Sequence, residues 1–193
     1  MKLNSALRPH YAATLRLGIP IAIGQVGVII LGFADTMMVG RYATDALAAA
    51  AFVNNLFTLV TFLMMGYSYG LTPLVSASYG RGQHYRAGFL LKSALAANAA
   101  YGSLLIAAMG VLYFFVDRMG QDPALLPLIR PYYLVVLVSM VFVLIFNVLR
   151  QFTDGLTHTA TAMWILLGGN LLNILGNYLL IYGVGPFPEL GLL

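Results

Sequence analysis

Along the chain, long runs without a charged residue alternate with short polar stretches. The runs extend from Leu17 to Ala34, Ala46 to Gly80, Ser93 to Val116, Pro131 to Leu149 and Gly155 to Pro188. Each holds at least 18 residues, and a bilayer core needs about 20 helical residues. None alternates with period two. Backbone facing lipid must also satisfy its own hydrogen bonds, so the runs predict helices and not barrel strands. The two longest runs, of 35 and 34 residues, contain turn-forming pairs (Thr72-Pro73 and Gly185-Pro186) and predict one helix plus a loop each. The result is five predicted membrane helices, over approximately 15–39, 46–71, 91–116, 131–150 and 158–183. Asp154-Gly155 predicts a turn ahead of the last of them, with Thr153 or Asp154 as its cap.

Composition supports the same solvent. Ten Lys and Arg and six Asp and Glu make 16 charges in 193 residues, where a soluble domain of this size carries roughly 48. A water-soluble globule is excluded, and so is a disordered chain, whose signature is low hydrophobicity with high charge. The net charge of +4 forms no dense basic patch, so nucleic acid is not an expected partner; the lipid bilayer is. There is no cysteine, which removes disulfides and thiolate sites. With the N-terminus inside, Lys2, Arg8, Arg16, Arg81, Arg86, Lys92 and Arg150 fall on inner segments, and only Arg41, Arg118 and Arg130 on outer ones. That bias predicts a cytoplasmic N-terminus. Tyr132 and Tyr133 are among the aromatics expected at the outer interface. A cleaved signal is not expected, because the first run ends in Ala34-Asp35 without a small-x-small site.

Candidate chemistry lies with the polar residues that lipid should reject. Asp35 sits six residues, about 9 Å, below the Arg41 end of its span. Asn54 and Asn55 lie about 14 Å inward from Asp45, and Asn177 about 12 Å inward from Gly185, with Asn173 one turn deeper. Asn170, Asn173 and Asn177 follow an i, i+3, i+7 spacing and share a helix face. A carboxylate among amide oxygens can hold Na⁺, or its carboxyl can take a proton when burial disfavours the charge. The competing reading makes Asp35 a helix-end residue and the asparagines plain interhelical hydrogen bonds. Pro20 interrupts the first span and is read as a hinge or as a static kink. His10, His84 and His158 are scattered, and no nucleophile elbow, phosphate loop or zinc motif occurs, so an enzyme is not expected.

Several strings resemble one family. Phe33-Ala34-Asp35-Thr36-Met37-Met38-Val39-Gly40-Arg41, with Pro20 upstream, resembles the first-helix motif of the multidrug and toxic compound extrusion (MATE) transporters. Gly70 to Gly80 resembles the end of that family's second helix. Phe152-Thr153-Asp154-Gly155, with Thr159 and Met163, is similar to its fourth loop; Asn173 to Gly183 and then Pro188-Glu189-Leu190-Gly191 are similar to its fifth helix and exit loop.

The resemblance implies an all-α, polytopic helical bundle in a multi-pass plasma membrane, expected to be the bacterial inner one. The chain would supply about five helices of an incomplete six-helix N-terminal lobe, residues 1–193, in a twelve-helix transporter whose C-terminal lobe is missing here. It further implies an antiporter that exports xenobiotics, small amphipathic or cationic substrates, by alternating access in exchange for H⁺ or Na⁺. No cofactor is implied. Under the resemblance Asp35, Asn173 and Asn177 form the cation or proton coupling site (for Na⁺, a metal site) and Pro20 is the helix hinge; the depth and spacing of Asn54, Asn55 and Asn170 make them candidates for the N-lobe cavity. Some proton-linked members carry an acid where Asn177 stands here, so the ion remains H⁺ or Na⁺. The alternatives are a lipid-linked oligosaccharide flippase of related fold, or a non-transporting membrane subunit. One charge crossing roughly 100 mV releases about 2.3 kcal/mol, enough for a neutral substrate gradient of about 45-fold.

Overall fold

A computed structural model of the protein describes residues 3–183 and 191, with side chains from residue 11 onward. Its elements are α1 (Leu3–Tyr42), α2 (Thr44–Tyr69), α3 (Leu71–Gly80), α4 (His84–Tyr113), two 3₁₀ turns (Val116–Arg118 and Pro123–Leu125), α5 (Leu126–Gly155) and α6 (Thr159–Ile181). No strand occurs among the described residues. Because α3 continues α2 across a single residue, Gly70, the six helices make five stretches long and apolar enough to cross a membrane.

The helices overrun the charge-free runs at most of their ends. α4 begins at His84 and takes in Arg86 and Lys92, α5 begins at Leu126 and takes in Arg130, and α5 runs on through Arg150 to Gly155. The reason is that charge marks where lipid stops, whereas a helix stops where its backbone loses partners. Ahead of α5 the Asp122 carboxylate accepts from the Ala124 N–H at 2.9 Å, and Pro127 presets the first turn. The Arg130 guanidinium pairs with Asp117, which ties the 3₁₀ loop to the start of α5. The loop expected at Thr72-Pro73 is helical, since a proline in the first turn of α3 forfeits no intrahelical bond. Likewise Asp154-Gly155 closes α5 and does not open α6, whose N-cap position is His158 with no side-chain cap. The turn between them is Leu156-Thr157-His158, with Thr157 at φ 65°. Gly185-Pro186 and Pro188 to Leu190 lie outside the described residues.

Packing divides the helices into two groups. α2 lies against α5 and α4, and α3 against α4 and α5, whereas α1 packs chiefly on α6. The main core is built from Ala49, Val53, Phe57, Val60 and Met64 of α2, Met109 of α4, and Ile129, Tyr133, Met140 and Leu144 of α5. Tyr133, expected at the interface, is fully buried: its hydroxyl donates to the Met109 carbonyl at 2.7 Å and its ring meets Phe57 edge-on at 4.8 Å. A second cluster of Leu71, Val75, Ala87 and Val148 joins α3, α4 and α5 near the far end. There the Thr72 hydroxyl donates toward Gln151 Oε1 at 2.6 Å. Pro20 lies within α1, which remains helical on both sides of it.

Candidate functional site

α1 and α6 bring their polar residues together near the Arg41 end of the bundle. Asn177 Nδ2 donates to Asp35 Oδ1 at 2.8 Å and to Asn173 Oδ1 at 3.0 Å. Residues 142 positions apart in sequence thus meet inside two predicted spans. Asp35 is half-buried, so its carboxyl is shielded from water on one side and held by an amide on the other. An amide N–H aimed at a carboxylate is the pairing of the ionised form.

The cluster opens into a cavity of about 450 Å³ between α1, α2, α5 and α6. Besides Asp35, Asn173 and Asn177, its polar lining consists of Thr36, Asn54, Tyr132 and Ser139; Gly32, Val39, Leu47, Ala50, Ala51, Val135 and Val136 supply apolar surface. The hydrogen bonds leave the hydroxyls of this lining as acceptors. The Thr36 hydroxyl donates back to the Gly32 carbonyl and the Ser139 hydroxyl to Val136, each at 2.7 Å. The Tyr132 hydroxyl donates to Asn54 Oδ1 at 3.1 Å. With those donors spent on the protein, the lone pairs of three hydroxyl oxygens and the Asp35 carboxylate remain for a hard cation or a proton-bearing group.

The other sequence candidates separate. Asn54 lines the cavity, but Asn55, 100° further round α2, does not. Asn170 shares the face of Asn173 and Asn177 but lies below the cavity, its Nδ2 beside Gly27 of α1, 3.2 Å from where a β-carbon would stand. Asn98 and Asn147 are buried elsewhere; Asn98 accepts from Ser68 at 2.7 Å and donates to Ala94 at 2.9 Å. Sequence reasoning did not select Tyr132, Ser139 or Thr36. A hydroxyl that can satisfy itself on its own helix carries no burial cost that would single it out. It also took Arg150 as a span end, whereas Arg150 is buried within α5, with Nε 4.0 Å from Asp154 Oδ2.

These features define a multi-pass helical membrane protein whose first and last described spans share a carboxylate–amide cluster in a polar cavity. The chain belongs to the MatE family, whose model matches residues 20–179; the resemblance read from the sequence is borne out. Similar proteins include the probable multidrug resistance protein NorM of Synechococcus sp., 31% identical over 186 residues covering 96% of this chain and 40% of that protein. Another is the multidrug resistance protein PmpM of Pseudomonas aeruginosa, 32% identical over 186 residues, 96% of this chain and 39% of that protein. The fold is also that of an outward-facing multidrug resistance MATE family transporter of the MOP superfamily, with a TM-score of 0.76 at 23% identity over 93% of this chain and 39% of that one. The chain thus spans about 40% of the length of the curated relatives it matches.

Proposed function

We propose that residues 1–193 form the greater part of the N-terminal lobe of an ion-coupled exporter in a bacterial inner membrane, with its N-terminus in the cytoplasm. A second lobe then supplies the opposing wall of an alternating-access pathway for amphipathic or cationic compounds. The observation that carries this reading is the 2.8 Å bond between Asp35 and Asn177 at the margin of a polar cavity. An isolated carboxylate at membrane depth is costly to keep charged, so its natural states are paired, protonated or cation-bound.

A simple exchange of partners links those states. When H⁺ or Na⁺ arrives, Asn177 turns its amide so that Oδ1 replaces Nδ2 toward Asp35. It then accepts from the protonated carboxyl or coordinates the metal ion beside Asn173 Oδ1. The bond between α1 and α6 changes sign without breaking, and the strain passes along α1, where Pro20 already lacks one backbone bond and can yield. In this scheme Asn54 serves the cavity wall through Tyr132, and Asn55 and Asn170 take no part in coordination.

The lining also weighs against a carrier of pyrophosphate-linked sugars, which needs fixed positive charge. Among the described residues no Arg or Lys faces the cavity. The test is Asp35→Asn in the full-length transporter, reconstituted and driven by a pH or Na⁺ gradient. Dye efflux is expected to fall by at least tenfold with insertion unchanged; efflux at the wild-type rate would contradict the reading.

A further inference from the structure

Two buried side-chain polar atoms have no hydrogen-bond partner among the described residues: Asn170 Nδ2 and Asp154 Oδ1. An orphaned group of this kind is costly, and native structures hold few. A series of contacts along α1 connects the two. Below the Asp35 cluster, Asn170 stands one turn from Asn173 and faces Gly27, while Gly27 also meets Leu167 closely (2.9 Å from a β-carbon position). One turn further along α1, Gly24 faces Leu166, the Met163 backbone and Arg150 Nη2, the last at 3.9 Å from a β-carbon position. Arg150 in turn approaches Asp154. Polar stations therefore recur from Asp35 through Asn170 to Arg150 and Asp154. Asp35 to Gly24 is 11 residues, about 16 Å, or half of a hydrocarbon core.

The seam is built unlike the core beside it. Gly24 and Gly27 present no side chain where α1 meets α6, and behind the leucine contacts each also faces a polar group, the Arg150 guanidinium and the Asn170 amide. Buried polar atoms without a protein partner are satisfied by water where two to four polar groups converge. We propose that the α1–α6 seam is a narrow hydrated passage joining the Asp35 cluster to the membrane face that bears the α5–α6 turn. Water in it satisfies Asn170 and Asp154 and gives protons a route between the cluster and that face. What the passage serves rests on the reading of Asp35 as a coupling site; its hydration does not.

Residues 1–193 hold no cysteine, so each thiol placed in them is the only one there. Single cysteines are placed in the full chain at Asn170 (Asn170→Cys), at the turn (His158→Cys) and at Leu172 (Leu172→Cys), a position 72% exposed on the opposite face of α6. Membrane vesicles of both orientations are treated with a membrane-impermeant cationic methanethiosulfonate. The position-170 thiol is expected to react from the face that labels position 158, at least tenfold faster than the lipid-facing position-172 thiol. If Asn170→Cys fails to insert, Leu166→Cys, which meets Gly24, is read in its place with the same expectation. Labelling from that face no faster than at position 172 would overturn the passage. The Asp35→Asn efflux result is independent of this readout, so the two readings fail separately.

Discussion

In α2 the buried residues Ala49, Val53, Phe57, Val60 and Met64 recur at spacings of three and four and meet Tyr133, Met140 and Leu144 of α5. In α1, by contrast, Gly24 is the one buried residue among those with described side chains, and Ile29, Phe33 and Leu15 stand exposed. Both are long apolar helices, yet one is held by interlocking side chains and the other by close backbone approach and a handful of polar contacts. In a bilayer, apolar surface is as content against lipid as against protein, so hydrophobicity alone does not bind helices together. Interlocking side chains hold α2 on α5, whereas the α1–α6 seam carries the polar contacts that change partners under the proposed function.

That contrast can be broken most forcefully in the core. Tyr133→Ala removes a fully buried ring together with its bond to Met109 and is expected to cost about 3–5 kcal/mol, read as a large fall in thermal unfolding temperature in detergent. A matched pair then compares close approaches. A β-carbon at Gly102 would overlap Leu144, itself buried, whereas one at Gly27 meets Leu167 and Asn170 on the partly exposed α1–α6 seam. Gly102→Val is expected to cost about 1–3 kcal/mol and Gly27→Val the lower end of that range, because α1 can move outward. Equal losses would mean that the seam is as tightly packed as the core. The smallest stability effect is expected at the cluster: Asn177→Leu removes one interhelical bond, worth about 0.6 kcal/mol, and one bond within α6, but is expected to abolish ion-driven efflux in the full-length transporter. A large loss of thermal stability in that variant would assign Asn177 to structure and not to exchange.

Much of this was legible in the residues. Five charge-free runs predict five spans, and the i, i+3, i+7 spacing of Asn170, Asn173 and Asn177 marks the polar face of α6. Depth was harder to read, because spacing fixes the direction of a side chain and not what stands opposite. Asn177 meets Asp35 and lines the cavity with Asn173, while Asn170, on the same face, meets Gly27. Charge also misled at the ends. Arg86, Lys92 and Arg130 lie inside helices, since a long basic side chain can reach the interface from a turn or two within, and Arg150 is buried beside Asp154. Tyr132 and Tyr133 show the same limit. Adjacent aromatics at an interface look alike in sequence, yet one lines the cavity and its neighbour fills the core. Gly24 and Gly27 gave no signal, because a chain with 20 glycines does not reveal which of them face a partner helix.

The central claim is that the Asp35 carboxyl exchanges its amide partner for a small cation. Infrared difference spectroscopy of the reconstituted chain, with Asp35→Asn used to assign the band, measures this directly. The carboxyl band of Asp35 is expected to shift on addition of Na⁺ or on a change of pH, together with an amide side-chain band lost in Asn177→Leu. A band that stays fixed under both would contradict the account.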